Sequence, residues 1–395
     1  MNFTKLKDYM DKMLEYYGVP GLDCIVYKEH EPVFRYIAGF SDVEEHKRMN
    51  GDELFLLFSM TKMLTCVSAL QLFEQGKYIM SDPVAKFIPE FGKMRITGGE
   101  LNTENAAKIT TGAALGEALK DNASGYAKNQ ITIKDLFTMS GGLDYDLNDK
   151  SISEAKKQGK KTTLEIVSAM SGKVLGFEPG TRFRYSLCHD VLGALIEIWS
   201  GKKLGDYMDE NIFKPLGMEN SFFGIPNDKE RLDKMAALYI KRGNEPAKKT
   251  PLSCPYNITE EYQSGGAGLT SSAEDYALFL DALACGGVGK NGVRILSSAS
   301  VELMGTNHLS GKQSEDFEQL RPGYGYGLGV RTHIDKSRSG SLSPIGEFGW
   351  DGAAGAFSMV DTKNKVSLTY FQHMHGWDVR TQTEMRNALY ACLDD

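Results

Sequence analysis

Residues 54–66 read LFLLFSMTKMLTC, which sets one serine and one lysine three positions apart in an apolar, methionine-rich run. From residue 59 to 75 the apolar spacing is helical, with Met60, Met63, Leu64, Val67, Leu70 and Phe73 on one side and Gly76 placed as the stop. Three residues are nearly one helical turn, so Ser59 and Lys62 share a face and the amine reaches the hydroxyl. A serine hydroxyl is a poor nucleophile until a neighbouring base takes its proton, and desolvation lowers a lysine's ammonium pKa enough to make it that base. The head of the helix adds partial positive charge and free N–H groups beside Ser59. A plainer reading makes Ser59 an N-cap and Lys62 a surface lysine with a snorkelling stem. Two other Ser-x-x-Lys patterns occur, Ser153/Lys156 in a charge-dense stretch and Ser200/Lys203 across Gly201. Neither holds its lysine in a fixed, dry place.

On the N-terminal side, residues 22–40 form two β-rich runs around Glu29-His30-Glu31-Pro32, a hairpin signature that follows an opening helix. On the other side, residues 80–260 read mostly as helix and loop, with helical segments at 131–143, 162–172, 189–201 and 204–217. The polar, small-residue stretch 98–129 reads as an irregular surface excursion. After Gly265 come a helix at 272–287, β-type runs at 325–334, 346–361 and 365–373, and a closing helix at 378–393. Strands at both ends with a helical middle predict an α+β fold. An antiparallel sheet flanked by helices is built from residues 1–78 and 262–395, a mainly helical domain is inserted at 79–261, and a cleft lies between them.

Composition removes several function classes. The chain has 395 residues with 45 basic against 52 acidic side chains, a net charge of −7, so it carries no nucleic-acid footprint. No stretch reaches the ~18 apolar residues that cross a bilayer, and the N-terminus mixes charge with helical spacing instead of resembling a leader, so a cytoplasmic location is expected. The six cysteines are scattered without paired spacings and are expected as free thiols. Gly-x-Ser-x-Gly and His-Glu-x-x-His are absent. His373-Met374-His375 lacks the ligand number of a metal site, and the Gly-rich run 323–329 lacks the spacing of a nucleotide loop. No metal or cofactor is expected, the expected partner is a small-molecule ester or amide, and the oligomeric state is left open.

Two further stretches carry chemistry. Residues 178–201 run from a Pro-Gly turn through Tyr185-Ser186-Leu187 into a strongly periodic helix. A tyrosine at such a junction points into a cleft or packs in the core; in a cleft, a nearby ammonium would bring its phenol towards useful base strength. Residues 349–355, GWDGAAG, sit in a β-type run where small residues let a backbone approach closely, either at a bulge or as a source of an oxyanion-binding N–H.

Taken together and in this order, these stretches resemble the serine β-lactamase and penicillin-binding-protein superfamily, most closely the class C-like esterases called family VIII carboxylesterases. The likeness spans nearly the whole chain. It includes residues 58–91, 131–143, 183–218, 265–280 and 323–330. The resemblance implies a β-lactamase/transpeptidase-like fold with Ser59 as the acylated nucleophile and Lys62 and Tyr185 sharing proton transfer, which of them is the base being open. It further implies an oxyanion hole from the backbone N–H groups of Ser59 and Ala353, the latter through the match of Trp350-Asp351-Gly352 to the family's third motif. Departures matter as well. Leu187 replaces the amide of Tyr-x-Asn, and Trp350 stands where Lys-Thr-Gly places a cation. An indole there loses the partner of an anionic substrate and gains an apolar wall. The expectation is therefore a serine hydrolase of small carboxylic esters, with Trp350, Gly352, Leu187 and Asp146 as substrate-binding candidates. Asp146 stands where relatives place an amide or is simply an exposed turn carboxylate. A β-lactamase or D-amino-acid peptidase, an acyltransferase, and a non-catalytic sensor are the alternatives.

Overall fold

The computed structural model describes residues 1–97 and 123–393. The hairpin forms as strands Gly21–Lys28 and Glu31–Asp42, joined at Glu29 and His30. Both of these residues have positive φ, 51° and 71°, as a tight hairpin turn requires to match the twist of its strands. The C-terminal strand Val366–Phe371 pairs antiparallel with Gly21–Lys28, placing Asp23 opposite Phe371, so the two ends of the chain meet in one sheet. That sheet has eight strands, running from Tyr324–Tyr326 through Arg331–His333, Phe348–Gly349 and Phe357–Asp361 to Val366–Phe371, then Gly21–Lys28, Glu31–Asp42 and Lys47–Arg48.

Alternation along the strands divides the sheet's two faces. Leu22, Cys24, Val26, Leu368 and Tyr370 face the terminal helices Thr4–Glu15 and Arg380–Leu393. Ile25, Tyr27 and Phe371 face the opposite way, into a core that contains the Ala273–Ala284 helix. The same apolar core continues through Leu64 to Leu195 and Ile166, so side chains of the sheet lobe and the helical middle pack together.

The helix that carries the Ser-x-x-Lys lysine, Thr61–Glu74, departs from the expected one-sided pattern, since every residue from Thr61 to Leu70 is buried. It lies along the Cys188–Ser200 helix of the middle region. On other sides Tyr276 donates to the Met60 carbonyl and Ser358 to the Met63 sulfur. A helix enclosed all round has no polar face for the sequence to display.

The middle region holds the expected helices Ile133–Phe137, Thr163–Ala169 and Cys188–Ser200. Thr132 and Thr162 start the first two with reciprocal capping boxes. Short strands there were not expected. Arg95–Thr97 pairs with Ala123–Tyr126 and Val174–Leu175, and Phe222–Phe223 pairs with Leu269–Ser272 beside Leu54–Leu56. Leu238–Ile240 lies between Lys248–Thr250 and Met374–His375. Runs this short carry too few residues for alternation to register. Of the surface excursion expected at 98–129, residues 98–122 lie outside the described residues. All six cysteines are free, and no helix among the described residues is long and apolar enough to cross a membrane.

Candidate active site

Strand Leu54–Leu56 is held by Leu269–Ser272 and leads through a 3-10 turn, Phe58–Met60, into the Thr61–Glu74 helix. Phe58 has φ 46°, a left-handed conformation that a bulky residue adopts only where its surroundings enforce it. Its buried ring is fixed edge-on against His375 and Tyr256, with centroids 5.2 and 6.3 Å away. This bend leaves Ser59 half-buried at the head of the helix. No side chain caps the turn or the helix, and Lys62 is 0 % exposed, so neither residue has the plain surface role.

The Lys62 amine donates to the Gly266 carbonyl at 2.6 Å, the Tyr145 hydroxyl at 2.9 Å and the Ser59 hydroxyl at 3.3 Å. It also lies 4.6 Å from the centre of the Tyr185 ring. An ammonium has three N–H donors and here meets three acceptors; the neutral amine directs a lone pair along one of those lines. Burial pushes the Lys62 pKa down to about 7, with the charge of Asp190 pulling the other way.

Tyr185 brings its hydroxyl beside that of Ser59 and accepts a hydrogen bond from Trp350 Nε1 at 3.1 Å. The expected easing of its phenol by the nearby ammonium is not what the site does. Burial dominates and raises the Tyr185 pKa well above its ordinary value, the neighbouring Ser59 and Trp350 donors notwithstanding. Tyr145, Tyr185 and Trp350 form a continuous stack, with centroids 5.6 and 5.5 Å apart. Trp350 therefore supplies an N–H to Tyr185 in addition to an apolar wall.

Gly352 shows why the third motif needs a small residue. A Cβ there would stand 2.6 Å from the Leu57 carbonyl oxygen, so only glycine lets this strand end lie against the turn that presents Ser59. Ala353 follows in an exposed turn, and its carbonyl accepts from His375 Nδ1 at 3.1 Å and Trp377 Nε1 at 3.2 Å. These two donors fix the peptide next to the N–H assigned to the oxyanion hole. Gly352→Ala is expected to lower kcat for p-nitrophenyl butyrate by about tenfold to a hundredfold, from loss of one aligned donor. Steady-state kinetics alongside thermal unfolding check that the loss is in turnover and not in folding.

Two substrate-binding candidates are buried side chains. Leu187 is 0 % exposed and packs in the core just ahead of the Cys188–Ser200 helix, so its side chain presents nothing to the cleft. Asp146 is 3 % exposed, not an exposed turn carboxylate; its Oδ1 accepts from the Asn148 N–H and its carbonyl from Lys173 Nζ. The neighbouring Tyr145, which sequence reasoning passed over, is the residue of that loop that meets Lys62. An aromatic between two aspartates in a cleft-lining segment was the available signal. Asp190 and Gly266 were also missed, and a buried aspartate inside a periodic helix was the signal for the first.

A family model described as Beta-lactamase matches residues 6–391. Protein Rv1367c of Mycobacterium tuberculosis is 29% identical over 85% of this chain and 81% of its own length. Esterase EstB of Burkholderia gladioli is 26% identical over 98% of this chain and 95% of its own. Among solved structures, EstCE1, described as a hydrolase with promiscuous acyltransferase activity, superposes with a TM-score of 0.77 at 23% identity, covering 98% of this chain and 97% of its own. That likeness is one of fold.

Proposed function

The chain belongs to the Beta-lactamase family, which its motifs led one to expect, and on that premise we propose that it is a serine hydrolase acting through an acyl-enzyme on small carboxylic esters. The observation that carries the proposal is a fully buried amine 3.3 Å from the Ser59 hydroxyl with its pKa brought down to about 7. In the neutral form Lys62 takes the Ser59 proton as the oxygen attacks the ester carbonyl. The N–H groups of Ser59 and Ala353 hold the oxyanion of the tetrahedral intermediate. Its collapse breaks the ester C–O bond, and the departing alkoxide takes a proton from the Lys62/Tyr185 pair. Water then repeats the sequence on the acyl-enzyme. An alcohol competes for the same intermediate, so acyl transfer is an accessible branch.

The Tyr185 phenol, raised by burial, serves as a donor in this scheme, and Lys62 is the base. Trp350 at the cation position favours neutral esters of short or medium acyl chains over β-lactams or D-peptides that present a carboxylate. A fluorophosphonate probe followed by intact-mass analysis and peptide mapping tests the mechanism: one adduct on Ser59 is expected, and labelling at another residue or none rejects it. Turnover of p-nitrophenyl butyrate well above that of nitrocefin is expected; the reverse order moves the chain to the β-lactam-hydrolysing side.

The pH dependence follows from Lys62. The base is active without its proton, so kcat/KM is expected to rise with pH through a midpoint near the Lys62 pKa of about 7 and to fall away in acid. A pH–rate profile with no acid limb in that region removes Lys62 from the role.

A further inference from the structure

Asp190, in the first turn of the Cys188–Ser200 helix, sends a carboxylate that is 1 % exposed beneath the site. Its Oδ1 accepts from the Ser264 hydroxyl at 2.6 Å and the Tyr262 hydroxyl at 2.8 Å. Its Oδ2, also buried, has no side-chain donor and only the Gly266 N–H beside it. That oxygen converges with the amine on one point. A Cβ on Gly266 would stand 2.5 Å from Asp190 Oδ2, 2.9 Å from the Tyr145 hydroxyl and 3.3 Å from Lys62 Nζ. Only a residue without a side chain leaves room for all three. A buried carboxylate short of donors is costly, and a nearby positive charge offsets part of that cost.

The other titratable groups around the amine are neutral or already paired. Asp351 is held by Arg321 at 3.1 Å. Burial pushes the Cys188 thiol up to about 11 and raises Cys66 further, so neither is a thiolate near neutral pH. The His189 imidazole is pushed down to about 3 by burial and by Lys62 and carries no charge. The phenols of Tyr145, Tyr185 and Tyr262 are raised well above their ordinary value. Burial raises the Asp190 pKa above its ordinary value, while Ser264, Lys62, Tyr262 and the Gly266 N–H pull it back down, and among these groups its carboxylate is the acid left facing Lys62.

We infer that Asp190 is a positioning residue whose carboxylate sets the charge of the Lys62 amine across Gly266 and Tyr145, without touching substrate. The inference rests on the reading of Lys62 as the base for Ser59. With the carboxylate in place the amine keeps its proton and its three hydrogen bonds until the pH nears 7. Without it the amine is released at lower pH. A merely structural Asp190, tying the segment around Tyr262 and Ser264 to the helix, would alter stability and leave this titration alone.

The experiment is the pH profile, from about pH 5 to about pH 9, of both fluorophosphonate labelling and p-nitrophenyl butyrate kcat/KM for the parent and for Asp190→Asn. The expected result is an acid limb in the variant displaced downward by about one pH unit or more. An unchanged midpoint in a folded, Ser59-labelled variant overturns the inference while leaving Lys62 as the base. A parent without the acid limb, or without labelling at Ser59, instead overturns the assignment of the base and this inference with it. Should Asp190→Asn not fold, Tyr262→Phe is read in its place. Losing one donor to Oδ1 makes the carboxylate hold a proton more readily and thins its charge, so a smaller displacement in the same direction is expected, and none overturns the inference.

Discussion

Lys62→Met is expected to lower kcat for p-nitrophenyl butyrate by about a thousandfold or more, through loss of the base proposed to activate Ser59, and to yield a protein that unfolds no earlier than the parent. The two effects have one cause. Carrying an ammonium into this site lowers its pKa from 10.5 to about 7, equivalent to about 4–5 kcal/mol against the charged form. Methionine has a similar length and no charge to desolvate. Its loss of hydrogen bonds to Gly266, Tyr145 and Ser59 subtracts from the gain, at about 1 kcal/mol per bond.

The pH dependence of that stability has a definite sign. Below about 7 both folded and unfolded parent carry the proton, so the folded state bears the whole penalty. Between about 7 and 10.5 the unfolded chain binds a proton that the folded one lacks, and parent stability rises with pH. The advantage of Lys62→Met is therefore greatest at and below neutrality and shrinks towards pH 10.5. Chemical denaturation at a series of pH values measures it. An early-unfolding Lys62→Met, at every pH, contradicts a strained, dry amine.

Tyr185→Phe is expected to lower kcat by about a hundredfold to a thousandfold with KM within a few-fold of the parent, since the loss is of proton transfer and the ring remains. Phenylalanine preserves the stack between Tyr145 and Trp350 but removes the acceptor of the Trp350 N–H. Trp350 is 6 % exposed, so its orphaned N–H is expected to lower stability by about 1–3 kcal/mol. Full kinetic parameters with an unfolding curve separate the two effects. A variant with parental kcat would remove the phenol from the chemistry and leave it a packing role.

The local patterns were the legible part. A serine and a lysine one turn apart, a tyrosine ahead of a periodic helix, and a small-residue strand each carry their signal within a few residues, and the fold brings Ser59, Lys62, Tyr185 and Trp350 into contact. The antiparallel sheet was legible for a similar reason, because strands such as Gly21–Lys28 and Val366–Phe371 are long enough for a run of β-type residues to register. What escaped depends on distance or direction. Tyr145 and Asp146 are adjacent, and which one meets Lys62 is decided by how the loop is tied at Asp144, Asn148 and Lys173. Leu187 occupies a motif position but turns into the core, a choice that one-dimensional matching does not register. The Tyr185 phenol was misjudged because proximity of an ammonium is visible in a motif, whereas the depth of burial that outweighs it is a property of the assembled fold.

The Trp350–Tyr185 contact gives the molecule an optical reporter at its proposed reaction centre. The chain has three tryptophans, and only Trp350 has its indole both stacked on Tyr185 and hydrogen-bonded to the hydroxyl that faces Ser59. Trp199 is stacked on Tyr78, and Trp377 is bonded to the Ala353 carbonyl. An acyl group on Ser59 changes the polarity and hydrogen bonding that the excited indole senses, so formation and decay of the intermediate will appear as emission transients in stopped flow, with colourless esters and without an attached dye.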